Sequence, residues 1–306
     1  MTTSAQPSDA PVAQELIDFK PDHPFFIGID SDGCAFDSME IKHKECFTPN
    51  AIKHFGLQPI SKYAREAWEF TNLYSKWRGV NRFPALIKVL DLLEERDAVK
   101  QRGAAIPRLQ HLRNWIEREA MLGNPALERA VADAPGDEKA ELEKVLAWSK
   151  AVNETVGDLV HGVPPFPNVR ECLEKAQPQA DMVVVSATPC EALEREWDEH
   201  NIASFVRVIA GQEMGKKADI LKVAAVGKYP AENILMIGDA PGDMNAAQKN
   251  GVLFYPIRPD HEEESWTRFR EEALDKFFAG TFKGDYEQNL ADEFLAGLPG
   301  TPPWDK

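Results

Sequence analysis

Three short apolar runs, each stopping at a polar residue, restrict the fold of this chain more than any other feature. Phe25-Phe26-Ile27-Gly28-Ile29 stops at Asp30-Ser31-Asp32-Gly33, Met182-Val183-Val184-Val185 at Ser186, and Ile234-Leu235-Met236-Ile237 at Gly238-Asp239. Runs of four or five apolar residues bounded by turn formers are the pattern of buried strands. Residues 205–209 and 252–254 read as weaker strands. Helical stretches at 190–200, 217–226 and 244–250 lie between them, and this alternation predicts an α/β fold with a parallel sheet covered by helices on both faces. Ligands of such sheets bind just beyond the carboxyl ends of the strands, which is where every polar ending falls.

The pattern changes between the first and second runs. Residues 39–162 contain no convincing strand, but 61–77, 83–100, 107–122 and 138–158 carry apolar residues at helical spacing. We read them as an all-α insertion, closed by the helix-incompatible cluster Gly162-Val163-Pro164-Pro165-Phe166-Pro167. Residues 22–38 and 163–256 then form the α/β core. Residues 1–21, rich in Ser, Pro, Ala and Gln without periodicity, are expected to be a flexible lead. Residues 257–306 are expected to be a helical extension packing on the core.

With 306 residues the chain is long enough for a large domain and a smaller inserted one. A formal net charge of −15 opposes non-specific binding to nucleic acid or to an anionic membrane surface. An anionic ligand would have to be held locally, by a metal or by a few placed cations. The four cysteines lack metal-ligand spacing and suggest no disulfide framework, which fits a reducing compartment. Without a basic-then-apolar leader or a run of about 20 apolar residues, a cytoplasmic location is expected.

The polar endings carry the chemistry. Phosphoryl transfer needs an in-line nucleophile, a proton donor for the leaving oxygen and positive charge on the equatorial oxygens. Asp30 and Asp32, two apart at a strand end, supply a carboxylate nucleophile and an acid/base. Asp239 and Asp243 form a second acidic group at a strand-to-helix junction. Mg²⁺ takes oxygen ligands and usually only one or two carboxylates, so Asp30 and Asp239 are the expected direct ligands. Asp243 would support that shell, and the Asp32 backbone carbonyl could complete it. Ser186, with the amides of Ala187 and Thr188, is placed to bind phosphoryl oxygens. Lys216 and Lys217 are both candidates for the phosphate-binding cation, with Lys217 preferred for its spacing to the following helix. In the insertion, the basic segment from Lys76 to Arg82 offers Arg78 and Arg82 as candidate substrate-specificity residues; a solvated helix connection reads equally well.

The ordered set Asp30-x-Asp32-Gly33, Ser186, a lysine, and Gly238-Asp239-x-x-x-Asp243 resembles the four motifs of the haloacid dehalogenase-like superfamily. A D-x-D pair alone also occurs in helix caps and solvated turns; the ordered combination is what carries the resemblance. It implies a Rossmann-like core, Asp30 as nucleophile, Asp32 as acid/base, Ser186 and a lysine on phosphate, and Mg²⁺ at Asp239 and Asp243. The helical insertion is similar to the family's cap, although longer than the usual small cap. Cys34 stands where the family usually has Thr or Val.

The expected activity is hydrolysis of a small phosphorylated metabolite. A dehalogenase would need neither the second acidic cluster nor Asp32, and a phosphonate hydrolase of this kind normally lacks an acid at that position. A sugar-phosphate mutase shares all four motifs and stays open as an alternative. So does a non-catalytic, receiver-like phosphate-binding module, although such modules do not require Asp32. The substrate and the oligomeric state are not written in these residues.

Overall fold

In the computed structural model, which describes residues 13–305, the three apolar runs become adjacent strands. The strands are β1 (Phe25–Ile29), β2 (Ala180–Val185), β3 (Val208–Ala210), β4 (Ile234–Gly238) and β5 (Leu253–Pro256). They form one sheet in the order β3-β2-β1-β4-β5, with every pairing parallel. Residues of β2, β4 and β5 are buried without alternation, as expected for a parallel sheet covered on both faces.

Register explains why the polar endings meet. Ile29 lies opposite Val184 on one side and Ile237 on the other. Asp30, Ser186 and Asp239 therefore leave the sheet at the same end, within two residues of a common level. The Asp30 amide donates to Ile237 O at 3.0 Å and the Ser186 amide to Ala210 O at 3.0 Å, which extends the ladder to the first candidate site residues.

The described residues divide into two compact units. The first combines the residues up to Asp37 with Gly162–Gly297 and contains the sheet. Its apolar interior joins Ile27, Val184, Trp197, Ile237, Trp266 and Phe277. The expected helices are present at Cys190–Glu199, Lys217–Ala224 and Pro241–Asn250. The weak strand expected at 205–209 is present as the shorter β3, shifted to Val208–Ala210 because a 3₁₀ turn, Ala203–Phe205, runs into the start of the segment.

The expected flexible lead lies mostly outside the described residues. Its described part is ordered: Gln14–Asp18 is a helix with Leu16 buried, and Lys228 Nζ donates to the carbonyls of Leu16 and Ile17. Phe19 packs edge-on against Phe26. One helical turn with a single apolar anchor is too short to produce a periodic signal.

The second unit combines Ser38–His161 with the described residues from Leu298. Its helices include Thr48–Phe55, Ser61–Asn72, Arg82–Glu95, Gln110–Arg118, Asn124–Asp133 and Gly136–Leu159. They close on an aromatic interior of Phe47, Trp68, Phe83, Trp115 and Trp148. The helix expected to reach residue 77 ends at Asn72, and the one expected to reach 100 breaks at Arg96, whose backbone is extended. Arg78 is buried and donates to Leu73 O at 2.8 Å. Arg82 donates to Ser149 O, Ser149 Oγ and Asn153 Oδ1.

The C-terminal tail does not behave as one element. Its helices Glu262–Arg268, Leu274–Phe278 and Asp285–Ala296 belong to the sheet unit, whereas the residues from Leu298 group with the helical one. There Lys76 N donates to Pro299 O at 3.3 Å, and Trp304 packs edge-on against Phe70 with ring centroids 5.6 Å apart. Among the described residues, no helix is long and apolar enough to cross a membrane.

Candidate active site

At the carboxyl end of the sheet, Asp30, Asp239 and Asp243 each present a carboxylate oxygen within 4.8 Å of the other two, and all three residues are buried. Like charges this close and this dry cannot stand alone. Lys217, the first residue of its helix, extends into the group and bonds Asp30 Oδ2 at 2.5 Å and Asp243 Oδ1 at 2.7 Å. Lys216 is the residue just before that helix; the two bonds are made by Lys217.

The electrostatics follow from burial and proximity. Desolvation pushes the Asp30 carboxyl up to about 6; Lys217 opposes the rise, while Asp239 and Asp32 add to it. Asp243 is likewise raised to about 6 by burial, with Lys217 lowering it and Asp30 raising it. Burial works against the Lys217 ammonium, but the carboxylates of Asp243, Asp30 and Asp239 outweigh it and hold its pKa above the ordinary lysine value.

Local geometry fixes each carboxylate. The Ser31 amide donates to Asp30 Oδ1 at 2.8 Å. Asp243 Oδ2 accepts from the Ala240 amide at 3.1 Å, which ties it to the first turn of the Pro241–Asn250 helix, where a negative charge is favoured. Gly238 is required beneath it, since a Cβ there would lie 2.3 Å from the Asp243 Cβ. Gly33, with φ of 73°, turns the chain immediately after Asp32 in a conformation that favours glycine.

Asp32 is held differently. Its Oδ2 accepts a 2.6 Å hydrogen bond from Thr188 Oγ1, and its carboxylate is not part of the three-aspartate group. Ser186 is buried, and its Oγ accepts from the Thr188 amide at 3.2 Å; Ala187 beside it is exposed. Among the sequence candidates, Asp30, Asp239, Asp243 and Lys217 thus form one directly bonded or closely spaced cluster. Ser186 and Asp32 are linked to each other through Thr188. Arg78 and Arg82 lie in the helical unit, where Arg78 donates to Leu73 O and Arg82 to Ser149 O.

Sequence reasoning missed a buried support behind Asp30. Ser31 Oγ accepts from Trp197 Nε1 at 3.0 Å and donates to Glu196 Oε2 at 3.1 Å, and both Ser31 and Trp197 are fully buried. No spacing rule links residue 31 to 197. The sequence points to Thr188 through its amide; the signal for its side chain is a hydroxyl two residues after Ser186.

The donor set suits a hard divalent cation: all its ligand atoms are carboxylate oxygens, and no histidine or cysteine takes part. Buried carboxylates gathered this closely are also stabilised by a bound cation.

The family model for haloacid dehalogenase-like hydrolases matches residues 117–257, a span containing Ser186, Lys217, Asp239 and Asp243 but not Asp30 and Asp32. A protein from Bacteroides vulgatus named as a β-phosphoglucomutase is 16% identical, with 87% of this chain and 91% of that one covered and a TM-score of 0.47. One from Lactobacillus delbrueckii subsp. bulgaricus named as a phosphoglycolate phosphatase is 14% identical, covering 76% and 85%, with a TM-score of 0.42. A haloacid dehalogenase-like family hydrolase from Streptococcus pneumoniae is 14% identical, covering 79% and 90%, with a TM-score of 0.40. No match was found among curated protein sequences. The family model for haloacid dehalogenase-like hydrolases thus spans β2 to β5, and the remaining motif of the resemblance, Asp30-x-Asp32, stands at the end of β1.

Proposed function

We propose that this chain is a haloacid dehalogenase-like hydrolase, a Mg²⁺-dependent phosphomonoesterase acting on a small phosphorylated metabolite in the cytoplasm, through an aspartyl-phosphate on Asp30. The observation that carries the reading is the Lys217 bridge between Asp30 and Asp243, at a strand end where a second carboxylate, Asp32, is held separately by Thr188. One carboxylate is charge-balanced and fixed for attack, and the other is kept out of the ion cluster for proton transfer.

In the first half-reaction an Asp30 oxygen forms a bond to phosphorus as the ester P–O bond breaks. The electron pair of that bond goes to the leaving oxygen, which takes a proton from Asp32. In the second, a water oxygen attacks phosphorus and gives its proton to Asp32, and the Asp30–phosphorus bond breaks to release inorganic phosphate. Both catalytic groups return to their starting states. Lys217 and the Ser186 hydroxyl offer positive charge and a hydrogen bond to the phosphoryl oxygens. Asp30, Asp239 and Asp243 would hold Mg²⁺, which supplies charge neutralisation and polarisation of the phosphoryl group. The resemblance assigns the helical insertion the role of the family's cap, with Arg78 and Arg82 as its candidate specificity residues.

The test is phosphate release from sugar phosphates, nucleotides and phospho-acids, with and without Mg²⁺. Metal-dependent release that disappears in a folded Asp30→Asn variant is expected. Full activity in that variant would remove Asp30 as nucleophile. Isomerisation without phosphate release would instead identify a mutase, and the absence of any turnover would point to a binding module.

A further inference from the structure

Thr188 lies outside the family motif as read from the sequence, yet its side chain makes a short contact to a catalytic carboxylate. Its hydroxyl donates to Asp32 Oδ2 at 2.6 Å. The threonine is itself fixed. Its amide donates to Ser186 Oγ at 3.2 Å, and its carbonyl accepts from the Gln212 amide at 3.0 Å. Gly211 presses against the same loop so closely that a Cβ on it would lie 2.5 Å from Thr188 O and 2.7 Å from Cys190 N. Pro189 follows directly and restricts the backbone. A β-branched side chain on so constrained a backbone has little χ1 freedom.

We infer that Thr188 is a positioning residue that orients Asp32 toward the leaving-group oxygen; the inference rests on the phosphomonoesterase reading above. A hydroxyl donating to Oδ2 leaves the acidic proton on Oδ1 and fixes the rotation of the carboxyl group. Asp32 then faces the ester oxygen with its proton-bearing atom. In the transfer step the P–O electron pair passes to the ester oxygen as that oxygen takes the Oδ1 proton, and the Thr188 proton stays on its own oxygen throughout. Thr188 needs no contact with substrate to act in this way.

The experiment compares Thr188→Val, Thr188→Ala and Thr188→Ser with wild type on aryl phosphates ranging from p-nitrophenyl to unsubstituted phenyl phosphate, in saturating Mg²⁺. The quantity read is kcat/KM, which reports on transfer to Asp30. p-Nitrophenolate departs with little help from an acid, whereas phenolate needs its proton. The Val and Ala variants should therefore lose roughly 30- to 100-fold on phenyl phosphate and under about threefold on p-nitrophenyl phosphate. Thr188→Ser should restore the phenyl phosphate rate to within about threefold of wild type. A uniform loss across the series, or no loss, would overturn the inference, because damage to packing does not distinguish leaving groups. Thermal melting identifies a variant that fails to fold, and the Val and Ala variants provide two separate chances to read the slope. If Asp30→Asn retains the hydrolysis of both substrates, the phosphomonoesterase mechanism itself has failed, and that result is distinct from a flat Thr188 series.

Discussion

Asp243 closes over Gly238 so tightly that a methyl group on the glycine would share space with the aspartate's own Cβ, 2.3 Å away. Gly238 is the last residue of β4, and Asp243 is in the first turn of the helix that follows. Strand and helix thus meet at the acidic cluster itself. Gly238→Ala should push Asp243 off the Ala240 amide and away from Lys217. We expect a stability loss of about 1–3 kcal/mol and a fall in Mg²⁺ affinity of roughly tenfold. Calorimetric Mg²⁺ titration beside thermal melting checks both, and unchanged Mg²⁺ binding would show that Asp243 does not support the ion.

Lys217 bonds both Asp30 and Asp243, so replacing it by methionine leaves these two carboxylates facing each other without it. Breaking a buried pair in this way costs about 3 kcal/mol, reduced here because both carboxyls already take protons readily. The phosphohydrolase rate should fall about 10²- to 10³-fold. Added Mg²⁺ should recover more melting temperature in Lys217→Met than in wild type, and equal shifts in the two proteins would contradict the charge argument.

The raised pKa values of Asp30 and Asp243 set the sign of a pH effect. Each carboxyl titrates near 3.8 when unfolded and near 6 when folded, so between these values the folded state binds more protons. Their contribution to the stability of the metal-free protein is therefore greatest below pH 3.8 and declines as pH rises toward 6. Comparing wild type with Asp30→Asn by denaturant unfolding from pH 4 to 7 isolates one group. The variant should gain on the wild type as pH rises through this window. Protons also compete with the cation, so Mg²⁺ affinity should weaken below about pH 6.

Ser31→Ala removes the acceptor of the Trp197 indole and the donor to Glu196 in a dry site. Leaving the buried indole N–H without its acceptor should cost about 1–2 kcal/mol. The Asp30–Asp32 turn loses its rear support, so we expect kcat to fall more than KM changes. Steady-state kinetics beside melting curves test this, and an unaltered kcat would confine Ser31 to stability.

Asp30, Ser186 and Asp239 were legible in the sequence because a polar residue ending an apolar run is a local signal, and parallel register does the rest. The segment before the helix offers Lys216 and Lys217, and helix spacing favours Lys217, but its bridging of Asp30 and Asp243 required coordinates. The Thr188–Asp32 and Ser31–Trp197 contacts span 156 and 166 residues, and nothing in either segment marks the partner. In the helical unit, periodicity located most of the helices but overran their ends. Arg96 turns extended between two helical stretches, and a single backbone residue leaves no periodic trace. The split of the tail at Leu298 was illegible for a related reason, since Trp304 is one aromatic among several and its partner Phe70 lies more than 200 residues earlier.

That split has a consequence for how the chain is made. The helical unit begins at Ser38, but its Phe70 and Arg96 pack against Trp304, which is synthesised only after every strand of the sheet. The sheet is interrupted as well: β1 must wait through the whole insertion for β2 and β4. Neither unit can reach its final packing early in translation, and the nascent chain carries an unpaired apolar strand, Phe25–Ile29, throughout. Removing a few residues after Leu298 should therefore weaken a unit whose bulk was completed at His161, and should lengthen the time during which the chain is prone to aggregate.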